Sequence, residues 1–509
     1  MLAKVTSAAT FGIDAVRIII EVDASGGLPG FTMVGLPDAA VREAYARVRA
    51  AMANCGLRYP ERYITVNLSP ADVKKEGSGF DLPIAIGILH AAEYLHERQL
   101  EGRVFVGELS LDGGLAPIRG ALSISSAFAK DRDTREVIVP MCNANEAAAV
   151  RSVPVIGVPH LPALLDHLRG ESCIDPWISI EEGDSADDGA DFAEVRGQAQ
   201  AKRALEVAAA GGHNVMMIGP PGSGKTMLAK RLPSILPHLS LDESIETTKI
   251  HSVAGLLPPG SGLVARRPFR APHHTISYAG LVGGGSVPKP GEVSLAHHGV
   301  LFLDELSEFR RDVLEVMRQP MEEGCVTIAR ALRTLTFPSR FTLAAALNPC
   351  PCGYFNDGRR QCSCGSQQIA RYLAKISGPL LDRIDLQVEV PALAAEEIAS
   401  TTAGERSESI RERVERAREI QRARFRRGSI QCNGEMTTRH LRKHCELDAT
   451  SRGLLEVALD KLGLSARAYD RILKVARTIA DLAGSESIES PFVSEAIQYR
   501  ALDKAYFRT

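Results

Sequence analysis

The chain has 509 residues, 45% hydrophobic and 24% charged, a length that fits about three domains with cores that need no disulfide staples. Gly 44 and Pro 28 exclude a collagen-like or low-complexity protein. Lys+Arg 60 against Asp+Glu 62 gives a net charge of -2, which excludes a basic protein that coats nucleic acid and confines any such contact to local patches.

Residues 1–168 alternate short β-like runs at 16–22, 63–68, 104–106 and 137–139 with a helical stretch at 38–52, the pattern of a compact α/β domain. The opening MLAKVTSAATFGID lacks the apolar region of a secretory signal, and no run approaches the ~18 apolar residues of a membrane span. A cytoplasmic protein without a membrane partner is expected. Residues 169–194 read as a solvated linker, because 181–194 holds seven acidic residues and no basic one among Gly, Ser and Ala. The block 195–395 has the helix–strand–loop–helix order of a parallel α/β nucleotide domain, with a Gly-, Pro-, Arg- and His-rich insertion at 258–285. The last block, 396–509, is patterned as helices at 408–427, 437–446, 451–462, 466–483 and 491–505.

The run Gly219-Pro220-Pro221-Gly222-Ser223-Gly224-Lys225-Thr226 is a complete G-x-x-x-x-G-K-[ST] phosphate loop between an apolar strand at 215–218 and a helix. Its backbone N–H groups and the helix N-terminus cradle phosphates. Lys225 reaches the β/γ-phosphates of ATP and Thr226 completes a Mg²⁺ shell. Four apolar residues at 300–303 then lead into Asp304 and Glu305 at a strand's carboxyl end, where ligands sit in such sheets. Asp304 is expected on Mg²⁺ and Glu305 on the attacking water, which makes the chain an ATPase. Asn348 follows the apolar run 341–347 and either orients that water or simply ends a strand, since Asn-Pro favours turns. Arg383 lies between Asp382 and Asp385 and reads as an arginine finger or as a surface ion pair. Arg467 reads as a phosphate sensor or as part of a solvated helix face.

GPPGSGKT (219–226), RPFRAPHHTIS (267–277), GVLFLDELSEF (299–309), RQPMEEG (318–324), NPCPCGY (348–354), GPLLDRIDL (378–386) and SARAYDRILKVARTIADL (465–482) together resemble the Mg-chelatase-like ATPases of the ComM/YifB type, over nearly the whole chain. The resemblance implies an AAA+ core with a pre-sensor-1 hairpin at 324–340 and a C-terminal helical lid. It implies Asn348 as sensor 1, Arg383 as a finger acting on a neighbouring subunit, Arg467 as sensor 2, and Gln198 beside the adenine. A trans-acting finger implies a hexameric ring. The first block resembles the Lon-type protease domain, of ribosomal S5 domain 2-like fold. Alignment on that motif puts Gly79 at the nucleophile and Leu122 near the base, with Ser78 one position off. A Ser–Lys dyad needs both groups in hydrogen-bond reach, so peptidase activity is not expected.

Four of the ten cysteines, Cys350, Cys352, Cys362 and Cys364, form C-x-C, nine residues, C-x-C. Four thiolates on a short loop suit structural Zn²⁺, with an iron–sulfur centre or redox thiols as alternatives. Arg359-Arg360 give this knuckle a basic tip. The paired histidines His273-His274 and His297-His298 suit loop hydrogen bonds or substrate contacts better than one metal. Eight Arg against three Glu over 411–427 make either a phosphate-contacting stripe or a helix laced with ion pairs. By resemblance the function is a hexameric, ATP-driven motor on single-stranded or branched DNA that promotes branch migration in recombination and natural transformation, with recombination proteins as possible partners. The alternative is a chelatase-like ATPase that remodels a protein or metallocofactor partner.

Overall fold

The computed structural model describes residues 2–75, 77–180, 190–285, 288–330, 333–393, 397, 404–426, 430–502 and 506, so 181–189 of the expected linker at 169–194 lies outside the described residues. The chain divides into two compact units, Met1–Ser185 with Ser240–Ala265, and Ala186–Leu239 with Arg266–Thr509.

The first unit is built on a seven-stranded sheet of β1 (Leu2–Phe11), β2 (Asp14–Ser25), β3 (Gly30–Val34), β4 (Tyr63–Ser69), β5 (Arg103–Phe105), β6 (Glu136–Pro140) and β7 (Val155–Val158), in the spatial order β3-β4-β2-β1-β5-β6-β7. In β2 the alternation is strict, with Ile18, Ile20, Val22 and Ala24 all buried. The sequence gives no comparable signal for β1, whose Ala, Ser and Thr residues alternate weakly. It is held by antiparallel pairing with β2 along its whole length, from Leu2↔Asp23 to Phe11↔Asp14. The helix Asp81–Ala91 is buried at every residue, as a helix that is apolar all round must be.

The positions aligned on the Lon-type motif carry no Ser–Lys pair. Gly79 offers no side chain, Leu122 is fully buried, and the Ser78 hydroxyl donates to the Glu108 carboxylate. The first unit also contains the helix Leu241–Ala254, which starts on a capping box in which Ser240 Oγ accepts from Glu243 N (3.2 Å) and Glu243 returns to Ser240 N (2.9 Å). Ser252 on this helix accepts from Gly120 N at 2.8 Å and donates to Glu146, which in turn accepts from Leu122 N at 2.9 Å. Burial pushes the Glu146 carboxyl above its usual range.

The second unit carries a five-stranded, all-parallel sheet of β8 (Val215–Ile218), β9 (Phe269–Arg270), β10 (Val300–Leu303), β13 (Thr342–Leu347) and β14 (Leu386–Glu389), in the order β9-β10-β13-β8-β14. Between β10 and β13 an antiparallel hairpin pairs β11 (Cys325–Arg330) with β12 (Arg333–Pro338). Its tip, 331–332, lies outside the described residues. Every residue of β8, β10 and β13 is buried, the continuous apolar run of strands covered on both faces. The Gly/Pro/His-rich stretch at 258–285 is not one insertion: 240–265 belongs to the first unit, while β9 is an edge strand of this sheet. Two residues are too few to show a period, which hid β9 in the sequence.

The C-terminal block is helical at Ser407–Arg424, Thr438–His444, Ala449–Leu462, Ala466–Leu482 and Ser490–Gln498. The helix expected at 491–505 breaks after Gln498, where the Tyr499 carbonyl takes the Gln387 N–H (2.9 Å) and the Arg500 guanidinium reaches the Ile384 carbonyl, and 503–505 lie outside the described residues. Among the described residues no helix is long and apolar enough to cross a membrane.

A buried polar network ties the helices to the sheet. His213 is fully buried, with Nε2 2.8 Å from Thr478 Oγ1 and Nδ1 3.6 Å from the Asp385 carboxylate. Burial is the largest influence on the imidazole and pushes its pKa down. Burial alone would raise the Asp385 carboxyl, but Arg471 and His213 hold it well below the usual carboxylate range. Both groups therefore bind protons more weakly in the folded chain than in the unfolded one. Their contribution to stability is present above the unfolded values and lost on acidification, first for His213 below about pH 6.5 and then for Asp385 below about pH 4. Urea midpoints should fall between pH 7 and 5, and His213→Gln should flatten that limb while lowering stability at pH 7.5. An unchanged slope in the variant would remove His213 from the account.

Candidate functional site

Parallel strands with crossover helices expose their carboxyl ends on one edge, and the three central strands of the second unit each deliver a residue there. From β8 the chain enters the phosphate loop, which turns into the helix Lys225–Ile235 through Gly224. Gly224 has φ +93°, a conformation that L side chains rarely adopt. Lys225 Nζ donates to the carbonyls of Gly219 (2.7 Å) and Pro220 (2.9 Å), and to Asn348 Oδ1 (3.1 Å) just past β13. Burial pushes the ammonium down to about 8, against the opposing pull of Asp304 and Glu305. Ser223 Oγ, buried in the same loop, has no hydrogen-bond partner among the described residues, so the loop holds a donor suited to a phosphate oxygen.

Past β10, Thr226 Oγ1 donates to Asp304 Oδ2 at 2.7 Å. A hydroxyl and a carboxylate side by side form the oxygen donor set that Mg²⁺ prefers, so these residues fit the ion expected there. Glu305 has φ +51°, an uncommon backbone for a non-glycine residue, and its N–H donates to Asp304 Oδ1 at 2.9 Å. Its carboxylate lies 3.8 Å from His274 Nδ1, and the His274 ring packs edge-on against Phe309. Sequence reasoning gave His274 only a loop or substrate role. The available signal was its position just after RPFRAP, whose Phe269–Arg270 forms the strand next to β10.

On the other side of the loop, Gln198 caps the helix Ala199–Gly211 with φ +55°, and its Nε2 donates to the carbonyls of Pro391 (2.7 Å) and Ser223 (3.3 Å). Lys225, Thr226, Asp304, Glu305, Asn348 and Gln198 are thus gathered around one loop. Arg383 and Arg467 are not joined to it by any contact among the described residues. Arg383 is 8% exposed and pairs with Glu322 of the same chain, whereas Arg467 is exposed, 3.8 Å from the Asp382 carboxylate.

The four cysteines are close-set, with Sγ separations of 3.3 Å (Cys350–Cys352), 3.5 Å (Cys352–Cys362) and 3.7 Å (Cys350–Cys362). None is in a disulfide, and all four sulfurs, that of Cys364 included, lie within 4.8 Å of one another. Tetrahedral zinc–thiolate bonds of about 2.3 Å imply sulfur separations of about 3.8 Å, so the cluster fits such an ion. Backbone N–H groups of Tyr354 and Ser363 draw the Cys352 thiol down to about 5, while the neighbouring sulfurs push the Cys362 and Cys364 thiols up, so a metal would have to displace protons from these two. The knuckle's basic tip is engaged internally. Arg359 donates to the Leu393 carbonyl (2.5 Å), and Arg360 lies over the Tyr354 ring (5.1 Å) with a bond to its hydroxyl (2.8 Å).

Much of the arginine stripe at 411–427 is likewise taken up by packing, with 427 itself outside the described residues. Arg413 pairs with Glu206 (2.6 Å) and Glu405, Arg418 caps the Ala209 carbonyl (2.9 Å), and Arg424 grips the buried Asp481 (2.8 Å).

Family profiles described as "Subunit ChlI of Mg-chelatase", "Magnesium chelatase, subunit ChlI" and "Magnesium chelatase, subunit ChlI C-terminal" match residues 20–143, 191–398 and 404–500. Among curated proteins, the chain is 46% identical over 508 residues to the competence protein ComM of Haemophilus influenzae, covering 98% of each. It is 43% identical over 507 residues to YifB of Escherichia coli, covering 99% of this chain and 98% of the relative. YifB of Salmonella typhimurium is 44% identical over 505 residues, with the same coverage.

The lowered Lys225 value sets a pH dependence for nucleotide binding. Below pH 8 the ammonium is charged and meets the phosphates directly, whereas above pH 8 binding must take up a proton. The Kd of a fluorescent ATP analogue should be flat from pH 6.5 to 7.5 and rise toward about tenfold per pH unit above 8. Lys225→Met should remove the dependence along with most of the affinity.

Proposed function

The chain belongs to the Mg-chelatase-like AAA+ ATPases of the ComM/YifB family, and from that premise we propose that it is a ring-forming machine that spends ATP to remodel a macromolecular partner. The observation that carries this reading is the convergence of Lys225, Asn348, Thr226, Asp304 and Glu305 on one phosphate loop. Lys225 exchanges its carbonyl partners for the β/γ-phosphate oxygens. Thr226 and Asp304 would hold Mg²⁺, which neutralises phosphate charge when bound. Glu305 polarises the attacking water and the Asn348 amide orients it, both from strand ends that cannot shift independently. Gln198 recognises the base side. Arg383 acts on a neighbouring subunit's nucleotide once it leaves Glu322, so its ion pair is a resting contact in this reading. Arg467 senses the phosphate from the helical lid. The hairpin 325–338 serves as the pre-sensor-1 element, the first unit as a non-proteolytic Lon-like platform, and the four cysteines hold structural Zn²⁺.

A second reading, a DNA translocase that drives branch migration, is favoured by one groove. A cavity of ≈ 420 Å³ is lined by Arg310, Arg311, Arg371 and Lys375, with Glu308, Phe309 and Ala374, a few residues beyond Glu305. Arg310 is paired with Asp312 (2.7 Å) and Lys375 lies 3.7 Å from Glu308, so the groove keeps a cationic excess that suits phosphodiesters.

ATP turnover by the full chain, with Glu305→Gln as the comparison, tests the reaction. Glu305→Gln should bind nucleotide normally and lose at least about a hundredfold in kcat. Wild-type-like turnover in that variant would remove Glu305 from its role. Light scattering with ATP should show a ring several subunits in mass, and a monomer under all nucleotide conditions would sink the trans-acting role of Arg383. Forked DNA that raises kcat in the wild type but not in Arg311→Glu/Arg371→Glu selects the translocase, and no response to DNA selects the remodelling reading. Elemental analysis of anaerobically purified protein should find one zinc per chain, lost in Cys352→Ser/Cys362→Ser.

A further inference from the structure

The four-cysteine knuckle is packed into the nucleotide site as well as lying near it in sequence. Cys350 is buried two residues after Asn348, whose side-chain oxygen meets Lys225. A tight turn follows, closed by the Gly353 N–H on the Cys350 carbonyl at 2.9 Å. Gly353 is buried with φ +86°, and a Cβ there would lie 2.4 Å from Pro221 Cδ and 2.7 Å from its Cγ. The turn backbone therefore rests directly on the proline ring in the phosphate loop. From the far side of the knuckle, Arg359 holds the carbonyl of Leu393, two residues beyond Pro391, which Gln198 holds on the base side. The knuckle thus braces the cradle at the loop, at the water-orienting asparagine and at the strap beside the base.

We propose that the ion-clamped knuckle is a working part of the ATP site: a divalent metal on Cys350, Cys352, Cys362 and Cys364 fixes the Gly353 turn against Pro221 and so holds the phosphate loop in its binding conformation. Binding the ion displaces the thiol protons to solvent and ties two chain segments, 350–352 and 362–364, into one rigid body. Without it, the turn is held by one backbone hydrogen bond, and four sulfurs that repel as thiolates are free to separate. Nucleotide affinity then depends on the ion through packing, with no contact between metal and nucleotide. The proposal rests on the metal reading of the cluster, and its test separates the two.

The experiment uses the full chain, anaerobic and reduced, with zinc measured by elemental analysis and affinity by titration with a fluorescent ATP analogue. Stripping the ion with a chelator, followed by removal of the chelator, should raise Kd at least tenfold, and adding back Zn²⁺ should restore it. Gly353→Ala should keep one zinc per chain and still bind at least tenfold more weakly. Adding Pro221→Ala to that variant, which removes the ring atoms the new methyl would meet, should recover part of the affinity, the rest being lost to the strain of a side chain at positive φ. Stripped protein that refolds on zinc but binds nucleotide equally well with and without it would overturn the coupling and leave the metal site standing. Protein that never holds a metal overturns the metal reading, and this proposal with it. Gly353→Ala at wild-type affinity would show that the turn does not brace the loop.

Discussion

The Lys225 ammonium is the point on which the second unit is organised. It is buried, it needs acceptors, and it finds them in two carbonyls of its own loop and in the Asn348 amide at the end of the neighbouring strand. A buried cation without partners costs several kcal/mol, so the registers of β8 and β13 and the loop conformation are fixed together. The same parallel sheet sets β10 on the other side of β13, which brings Asp304 to the Thr226 hydroxyl. Burial that depresses the ammonium also prepares it for phosphate. A group satisfied by weakly held carbonyls in a dry site gains more from an anion than one already solvated.

Polar groups buried away from the phosphate loop follow the same logic. Asp385 at the head of β14 is shared by His213 and Arg471, and Asp481 is shared by Arg424 and Arg477. Asp385 joins the C-terminal helices to the sheet, whereas Asp481 binds the helices Ser407–Arg424 and Ala466–Leu482 to each other, so charges that must stay paired hold the helical block together and fix it to the sheet. Arg383 lies two residues before Asp385 in the chain, and its side chain is held by Glu322. Movement of the helices would therefore be felt at the segment 378–385 that carries it.

How much could be read from the chain depended on whether the signal was local. The strands Val215–Ile218 and Val300–Leu303 stand where their apolar runs place them, and the helix Ala466–Leu482 departs from the expected bounds by one residue. The phosphate loop needs only successive backbone groups and glycines, so it is visible in eight residues. The strand Leu2–Phe11 was hidden because its stability comes from pairing with the next strand rather than from its own side chains. The edge strand Phe269–Arg270 was too short to have a period. The arginines of 411–427 showed their charge in the sequence, but not that Arg413, Arg418 and Arg424 are occupied by partners far along the chain.

By itself, the sequence determined the chemistry available: a loop for phosphates, acids for a metal and a water, and four thiols at the spacing of a metal knuckle. These are properties of neighbouring residues, and hydrogen-bonding and coordination rules act over such short spans. Only the tertiary structure decided which of these groups meet. It placed Asn348 on Lys225, His274 beside Glu305 and the Gly353 turn on Pro221, and it turned Arg383 inward to Glu322. Those contacts join residues 31 to 132 positions apart, and their formation is set by strand order and close packing, which no local pattern encodes.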